Sequence, residues 1–191
     1  MIPDSTQLIV AALNGDEIAA RHLVDLHYCS IYNFLRRLTR HDDDASDLTQ
    51  RTFARAWSSL KSFAGRSTVS SWLHGIAWHT YLDWRRAHRP PVDQSATWWE
   101  SQVISGPGPA ETAAASDLAA SLYAAVETLE PEVRATVHLH YFQDLSLAET
   151  AEALGVAAST VKYRLRQGLH RLQIILMEKA SLKPLSSPLQ S

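Results

Sequence analysis

The 191-residue sequence predicts an all-α fold of two small helical domains, about residues 1–90 and 112–180. A flexible linker over 91–111 joins them, and a tail over 181–191 follows. Three observations predict this. Apolar residues recur at spacings of three and four in both halves, the period of an α-helix. Cap residues and turn glycines punctuate those runs. The stretch from about Arg89 to Glu111 has no periodicity and holds Pro90, Pro91, Gly106, Pro107, Gly108 and Pro109, the composition of a linker.

In the first half, Asp4 is placed to cap a short helix that ends at Gly15. Asp16 opens a longer one, to about Arg40, with Ile18, Leu23, Leu26, Ile31, Phe34, Leu35 and Leu38 as its apolar positions. Arg36, Arg37 and Arg40 collect in its last turn, where cations complement the helix dipole. The run HDDDA is a helix-start signal, and the third helix is expected over about Ala45–Leu60. Leu48, Thr52, Phe53, Ala56, Trp57 and Leu60 form one face of it. The loop FAGRSTVSS offers Gly65 for a turn and Ser67 or Thr68 as a cap for a fourth helix, about Val69–His88. Leu73, Ile76, Ala77 and Trp72 face a core. The period puts at least one of Trp78, Tyr81 and Trp84 outside that face. Aromatics interleaved with Arg85 and Arg86 give stacking surfaces beside cations, which suits single-stranded nucleic acid; the competing reading is that the rings fill a core.

Pro90-Pro91 ends the fourth helix. Trp98 and Trp99 are unusual in a plain spacer and are read as a docking point or a cover for part of a domain. From about Thr112, Leu118, Leu122, Ala125, Val126 and Leu129 form a helical face. Glu130-Pro131-Glu132 starts another helix, with Pro in its first turn. Val133, Val137, His140 and Tyr141 carry that helix to Phe142. Beyond about Lys179 the chain is read as a frayed tail.

Between them, Leu145–Leu172 reads as two helices about one tight turn. Ser146 and Glu149 fit a capping box, and Gly155 stands where a left-handed residue ends the first helix. Ala148, Ala151, Ala153 and Leu154 give that helix a narrow face. The second helix carries Val161, Leu165, Leu169 and Leu172 as one stripe. Its other faces hold Ser159, Thr160, Lys162, Tyr163, Arg164, Arg166, Gln167, His170 and Arg171. This is a helix-turn-helix pattern, whose second helix enters the DNA major groove, and these side chains pair with phosphates and base edges. The plain alternative is a helical hairpin with a solvated basic face. Ala157 occupies the place of a polar cap, so any cap comes from Ser159.

Net charge is −2, against a uniformly basic nucleic-acid binder. The sum hides a basic last helix behind an acidic segment, a local electrostatic footprint. Cys29 is the only cysteine; it is read as a small core residue in a reducing, cytoplasmic protein. The N-terminus lacks a signal-peptide pattern, and no run approaches the ~20 apolar residues of a membrane span. The nine histidines include no HExxH and no clustered Cys/His spacing, so no metal is expected. No phosphate-cradling glycine loop or nucleophile motif is present, so neither catalytic residues nor a cofactor nor a small-molecule substrate is expected. Asp42-Asp43-Asp44 is a helix start.

Taken together the motifs resemble a known family. Asp47-Leu48-Thr49-Gln50, Phe53-Ala54-Arg55-Ala56-Trp57, Phe63-x-Gly65, Ser71-Trp72-Leu73 with Ile76-Ala77, and Asp83-x-x-Arg86 are similar to conserved region 2 of extracytoplasmic-function sigma factors. Thr160-Val161-Lys162 and Arg164-Leu165, behind LSLAETAEALG, resemble their region 4. The resemblance implies a bacterial subunit that joins core RNA polymerase and promoter DNA. It places Asp47, Leu48, Gln50, Arg51, Phe53, Arg55 and Trp57 on the helix that meets the polymerase clamp; Phe53 and Trp57 also fit a core. It places Arg66, Ser67, Ser70, Trp78, His79, Tyr81, Trp84, Arg85 and Arg86 at the unpaired −10 element. The −35 duplex falls to Ser159, Thr160, Lys162, Tyr163, Arg164, Arg166, Gln167 and His170. The linker matches one that threads the polymerase near the RNA path. An anti-sigma factor, often membrane-bound, is the further partner implied. Three departures are Arg51 for the usual acid, Trp78-His79 for the usual Arg-Asn, and Ala157 for a frequent cap. The alternatives are a helix-turn-helix regulator that binds duplex without polymerase, and a module whose basic helix binds protein.

Overall fold

A computed structural model describes residues 5–88 and 121–181, and every regular element among them is helical. The first group is α1 (Ser5–Leu13), α2 (Glu17–Thr39), α3 (Asp42–Ser59), a 3-10 turn (Leu60–Ser62) and α4 (Val69–Ala87). The second is α5 (121–127 as described), α6 (Pro131–Tyr141), α7 (Leu147–Leu154) and α8 (Ala158–Ser181). The expected Asp4 cap, the linker with Trp98-Trp99, the helical position expected at Leu118 and the tail beyond Ser181 lie outside the described residues.

The ends of the helices follow local chemistry. Asp16 Oδ1 accepts from the backbone N–H of Ile18 and Ala19 at 2.9 and 3.0 Å, covering two donors that α2 leaves open. Arg40 closes α2 in the left-handed region at φ 63°. Thr68, the second of the two residues considered, caps α4 by accepting from Ser71 N–H at 3.1 Å. In α7 both halves of the capping box form: Ser146 Oγ accepts from Glu149 N–H at 3.2 Å, and the Glu149 carboxylate accepts from Ser146 N–H at 2.9 Å. Gly155 ends α7 at φ 65°, a conformation that costs glycine nothing. The start of α3 is earlier than expected, at Asp42. Asp42 is held by Arg36 Nε at 2.5 Å and Tyr32 Oη at 3.0 Å.

Two cores result. The larger one holds Leu23, Ile31, Phe34, Leu35 and Leu38 of α2, Leu48 of α3 and Leu73 of α4, and it continues into Ala135, Leu139, Leu145, Ala153 and Leu154 of the second group. The smaller one joins Ala125, Val126, Leu129, Val133, Val137, Val161, Leu165 and Leu172. The two groups therefore share a core and meet along a seam, chiefly α2 against α6 and α4 against α7.

Several expected core positions turn out differently. Ile18 is 83% exposed and Leu26 is exposed, because the first half of α2 buries only the face that carries Ala19 and Leu23. Cys29 is exposed on the outer side of α2 and is no core residue. Trp57 is 52% exposed, while Thr49 takes a buried place on α3. Ala148 is exposed on α7, where Thr150 is buried instead. Leu169 is also exposed. The packed stripe of α8 runs through Gly168 in its place, because α6 crosses there so closely that no side chain fits. A Cβ on Gly168 would lie 2.9 Å from Val137 Cγ2 and 3.0 Å from Val133 Cγ1. β-branched side chains are stiff and yield little. Gly168→Leu is expected to lower the unfolding free energy by about 1–3 kcal/mol through overpacking. Urea denaturation checks this, and an unchanged midpoint would show that α6 and α8 separate freely.

Candidate nucleic-acid interface

The loop over 64–68 and the N-terminal half of α4 present Arg66 and His79 to solvent, with Ser67 and Ser70 half-buried. Opposite them lies α7. An open cleft of about 650 Å³ between the two is lined by Arg66, Ser67, Thr68 and Ser70 on one side and Glu149 and Glu152 on the other. Thr68 Oγ1 bonds the Glu149 carboxylate at 3.3 Å, and Ser71 Oγ donates to the Glu149 carbonyl at 3.2 Å. The bonds from Ser146 hold the Glu149 carboxyl below the usual range, and Thr68 adds to this. A smaller cleft brings Arg55, Ser67 and His79 together beside Trp72 and Gly75. α4 and α7 pack closely at Gly75, where a Cβ would stand 3.4 Å from the Ala153 carbonyl oxygen.

Further along α4 the aromatic run forms a ladder. Ring centroids of Trp78 and Tyr81 are 5.7 Å apart, Tyr81 and Trp84 5.9 Å, and Trp84 and His88 4.9 Å. Trp78 and Tyr81 are each only 3% exposed. As stacking surfaces for bases these two are corrected: in this arrangement their rings belong to the shared core, as the competing reading had it. Burial pushes the Tyr81 hydroxyl up, with Arg85 and Arg134 close enough to pull against it. Trp84 and Arg85 are half-buried and Arg86 is exposed. Arg85 Nη2 reaches across the seam to Glu132 at 2.7 Å. Burial alone would raise the Glu132 carboxyl, but the bond to Arg85 outweighs it and the net shift is downward. Arg86 pairs with Asp83 at 2.5 Å.

On α3, Asp47, Gln50, Arg51 and Arg55 are exposed and Phe53 is half-buried. Leu48 is fully buried, so it anchors α3 to the core and offers no surface contact, a correction to the set expected there. Arg51 pairs with Asp47 at 2.8 Å across one helical turn. Arg55 bonds Asp83 of α4 at 2.8 Å and Thr80 at 3.3 Å, and it chiefly holds the Asp83 carboxyl low. Tyr28 stacks on Phe53 at 6.2 Å and on Tyr32 at 6.4 Å, which makes a row of partly exposed rings. The Tyr28 and Tyr32 part of that row was not read from the sequence; a spacing of four on α2 is its only trace.

The second helix of the helix-turn-helix, α8, turns the expected face outward. Ser159, Lys162, Tyr163, Arg166, Gln167 and His170 are exposed, and Thr160 and Arg164 are half-buried. Val161 and Leu165 face inward and fix that orientation. Among the described residues no three His, Cys, Asp or Glu side chains gather to hold a metal ion.

One buried cation ties the two groups together. Arg134 of α6 is 3% exposed and has no carboxylate bonded to it. Its Nη1 donates to the carbonyls of Arg37 and Leu38, at 2.9 and 3.5 Å, in the last turn of α2. Its Nη2 donates to the carbonyls of Glu127 and Leu129, both at 2.7 Å, where α5 ends. Burial lowers the guanidinium to about 10, with repulsion from Arg40 adding to it, so it stays charged at neutral pH. Arg40 also donates to the Glu127 carbonyl, and Arg37 lies 3.9 Å over the ring of Tyr123.

Residues 23–90 match the family model for sigma-70 region 2, and residues 119–172 match the model for sigma-70 region 4. The chain is 32% identical over 182 residues to the ECF RNA polymerase sigma factor SigE of Mycolicibacterium smegmatis, covering 93% of this chain and 70% of that one. It is 30% identical over 155 residues to SigX of Bacillus subtilis, an ECF sigma factor, covering 79% and 80%. Among solved structures, CnrH in complex with the cytosolic domain of CnrY gives a TM-score of 0.66 at 22% identity, covering 92% of this chain and 97% of that chain. The sigma factor RpoE bound to the anti-sigma factor NepR from Bartonella quintana gives 0.65 at 22%, covering 82% and 96%. Those two likenesses speak to the fold.

The bonds of Arg134 predict a specific loss. Arg134→Met keeps the volume and removes every donor, leaving helix-end carbonyls buried and unpaired. It is expected to cost about 1.5–3 kcal/mol, read as a lower urea midpoint. Arg134→Lys should restore only part of it, because one ammonium lacks the planar fork that serves several carbonyls.

Proposed function

The chain belongs to the extracytoplasmic-function group of sigma-70 factors, and from that premise we propose how its parts divide the work of transcription initiation. A sigma factor joins core RNA polymerase and directs it to promoters. In this chain the exposed side of α3, with Asp47, Gln50, Arg51, Phe53, Arg55 and Trp57, meets the polymerase clamp. The loop Arg66–Ser70, with His79, Trp84, Arg85 and Arg86, takes unpaired −10 bases. The outward face of α8, with Ser159, Thr160, Lys162, Tyr163, Arg164, Arg166, Gln167 and His170, reads the −35 duplex.

The observation that carries this reading is the outward face of α8. Val161 and Leu165 point into the core, and six hydrogen-bonding or cationic side chains of the same helix, Ser159, Lys162, Tyr163, Arg166, Gln167 and His170, are exposed on its other faces. Such a face docks in a major groove. The exposed Arg66 and His79 support the single-strand assignment, because capturing an extruded base offsets an unstacking cost of a few kcal/mol. Tethering two modest DNA contacts through one polymerase makes them add. The protein does no chemistry on a substrate. It works in the bacterial cytoplasm, and its inhibitor is an anti-sigma factor. The two solved structures that share its fold, one of them bound by a cytosolic domain, support that partner. No helix among the described residues is long and apolar enough to cross a membrane.

Run-off transcription with purified core polymerase tests the reading. The expected result is a promoter-dependent product that needs this protein. No product at any cognate promoter, with strong specific duplex binding by the free protein, would favour a polymerase-independent regulator. Lys162→Ala is expected to weaken promoter binding and to reduce the slope of log affinity against log salt by about one, as loss of one phosphate contact does. An unchanged slope removes Lys162 from the interface.

A further inference from the structure

The seam between the two helical groups contains polar side chains that neither DNA nor polymerase binding explains. His74 of α4 and His138 of α6 are both buried, and both rings pack on Phe34, with centroids 5.3 and 5.5 Å from its own. A hydrogen-bonded chain links them across the seam. Gln143 places its side-chain nitrogen 3.2 Å from His138 Nε2 and accepts from Ser30 Oγ at 2.6 Å. Ser30 Oγ also lies 3.3 Å from His74 Nε2, and His74 Nδ1 donates to the Ser70 carbonyl at 2.8 Å. Ser30 and His74 belong to the region 2 part, His138 and Gln143 to the region 4 part.

At His138 this chain accommodates a neutral ring and not a charged one. Gln143 turns its side-chain N–H toward His138 Nε2, so a second proton on that ring would face a donor, and the buried Nδ1 has no hydrogen-bond partner to take one either. The groups that act on the two rings are cationic or neutral. His27 of α2 bears on His74, Arg37 of α2 bears on His138, and the two histidines bear on each other. His27 is itself engaged by Ser5 of α1 at 3.3 Å and stays within the first group. The nearby carboxylate of α7, Glu149, is committed to Ser146 and Thr68, and no carboxylate acts on either ring. A proton on either ring would meet burial and repulsion, and only the Ser70 carbonyl bonded to His74 acts the other way, too weakly to outweigh burial.

We propose that this seam is a proton-sensitive latch: neutral His74 and His138 hold the two helical groups together, and protonation of the pair releases them. Burial lowers His74 to about 4 and His138 to about 3, from an ordinary 6.5. Release returns both rings to water and to the ordinary value. The open form therefore binds more protons than the closed form at every pH below about 6.5. Closure is fully favoured above that pH and is lost as pH falls from 6.5 toward 4 and 3. The closed-to-open ratio drops by up to about tenfold per pH unit for each histidine, and about a hundredfold for the pair. For function the latch matters because α7 stands across a cleft from the loop and the α4 face assigned above to the −10 element and bonds Thr68 there; that consequence rests on the proposed function, whereas the latch itself does not.

The test uses the free full-length protein without DNA or polymerase, so its failure is distinct from failure in run-off transcription. Dyes on Ser58→Cys of α3 and Gln173→Cys of α8, in a Cys29→Ser background, report the separation of the groups by energy transfer. Far-UV circular dichroism reports helix content alongside. The expected result is high transfer at pH 7.5 and falling transfer below pH 6.5 with helix content retained. The pH dependence should correspond to about two protons, falling to about one in His138→Met or His74→Gln and to none in the double variant. Low transfer already at pH 7.5, constant transfer from pH 7.5 to 5, or transfer lost only together with helix would overturn the latch. So would a single-histidine variant that keeps the full slope.

Discussion

The arrangement depends on one guanidinium in the right place. A helix leaves its last carbonyls without intrahelical donors, and those oxygens carry the negative end of its dipole. Here the ends of α2 and α5 bring four such carbonyls to a single buried point, and Arg134 of α6 supplies donors to all of them. A planar fork can serve two directions at once, which an ammonium does less well. Burying that cation without a carboxylate is costly, as the lowered Arg134 shows. The cost is offset only while both helix ends are present. Arg134 therefore makes the fold of the region 4 part and its docking on α2 a single problem.

The capping chemistry works the same way at the other end of the seam. Glu149 completes the capping box of α7 and bonds Thr68, the residue that caps α4. One carboxylate thus sits near the N-termini of two helices, where both dipoles favour a negative charge. The two helices are close here, since a Cβ on Gly75 would already touch the Ala153 backbone at 3.4 Å. The helix-turn-helix is placed on α4 by its own local capping residue, and its outward α8 face stays free.

How much of this was legible follows from the range of each interaction. Caps, the glycine turn and the outward face of α8 depend on residues three or four apart, and Asp16, Ser146, Glu149 and Gly155 announced them. The all-α class and the family motifs were readable for the same reason. What a helix packs against was not readable. Leu169 looked like the stripe until α6 took Gly168, and Ile18, Leu26 and Cys29 looked apolar enough to be buried with nothing to bury them. Trp78 and Tyr81 had the periodicity of either reading, and the shared core decided it. Arg134, His74 and His138 gave the least warning. Polar residues are presumed exposed, and the partners that bury these lie far away in the chain.

That last group also explains the character of the seam. An apolar interface between two domains closes and stays closed, since nothing in it responds to its surroundings. This seam mixes apolar contacts with Arg134 on carbonyls, Arg85 on Glu132, Thr68 on Glu149 and the Ser30–Gln143–histidine chain. Each of these groups can be rehydrated, so separation exchanges protein hydrogen bonds for bonds to water and costs far less than exposing the same area of leucine. Domain contacts of this polar kind are compatible with relative motion. A protein whose two halves must address separate stretches of one promoter needs a seam that holds in isolation and yields to a larger partner. A seam rich in polar contacts meets both demands.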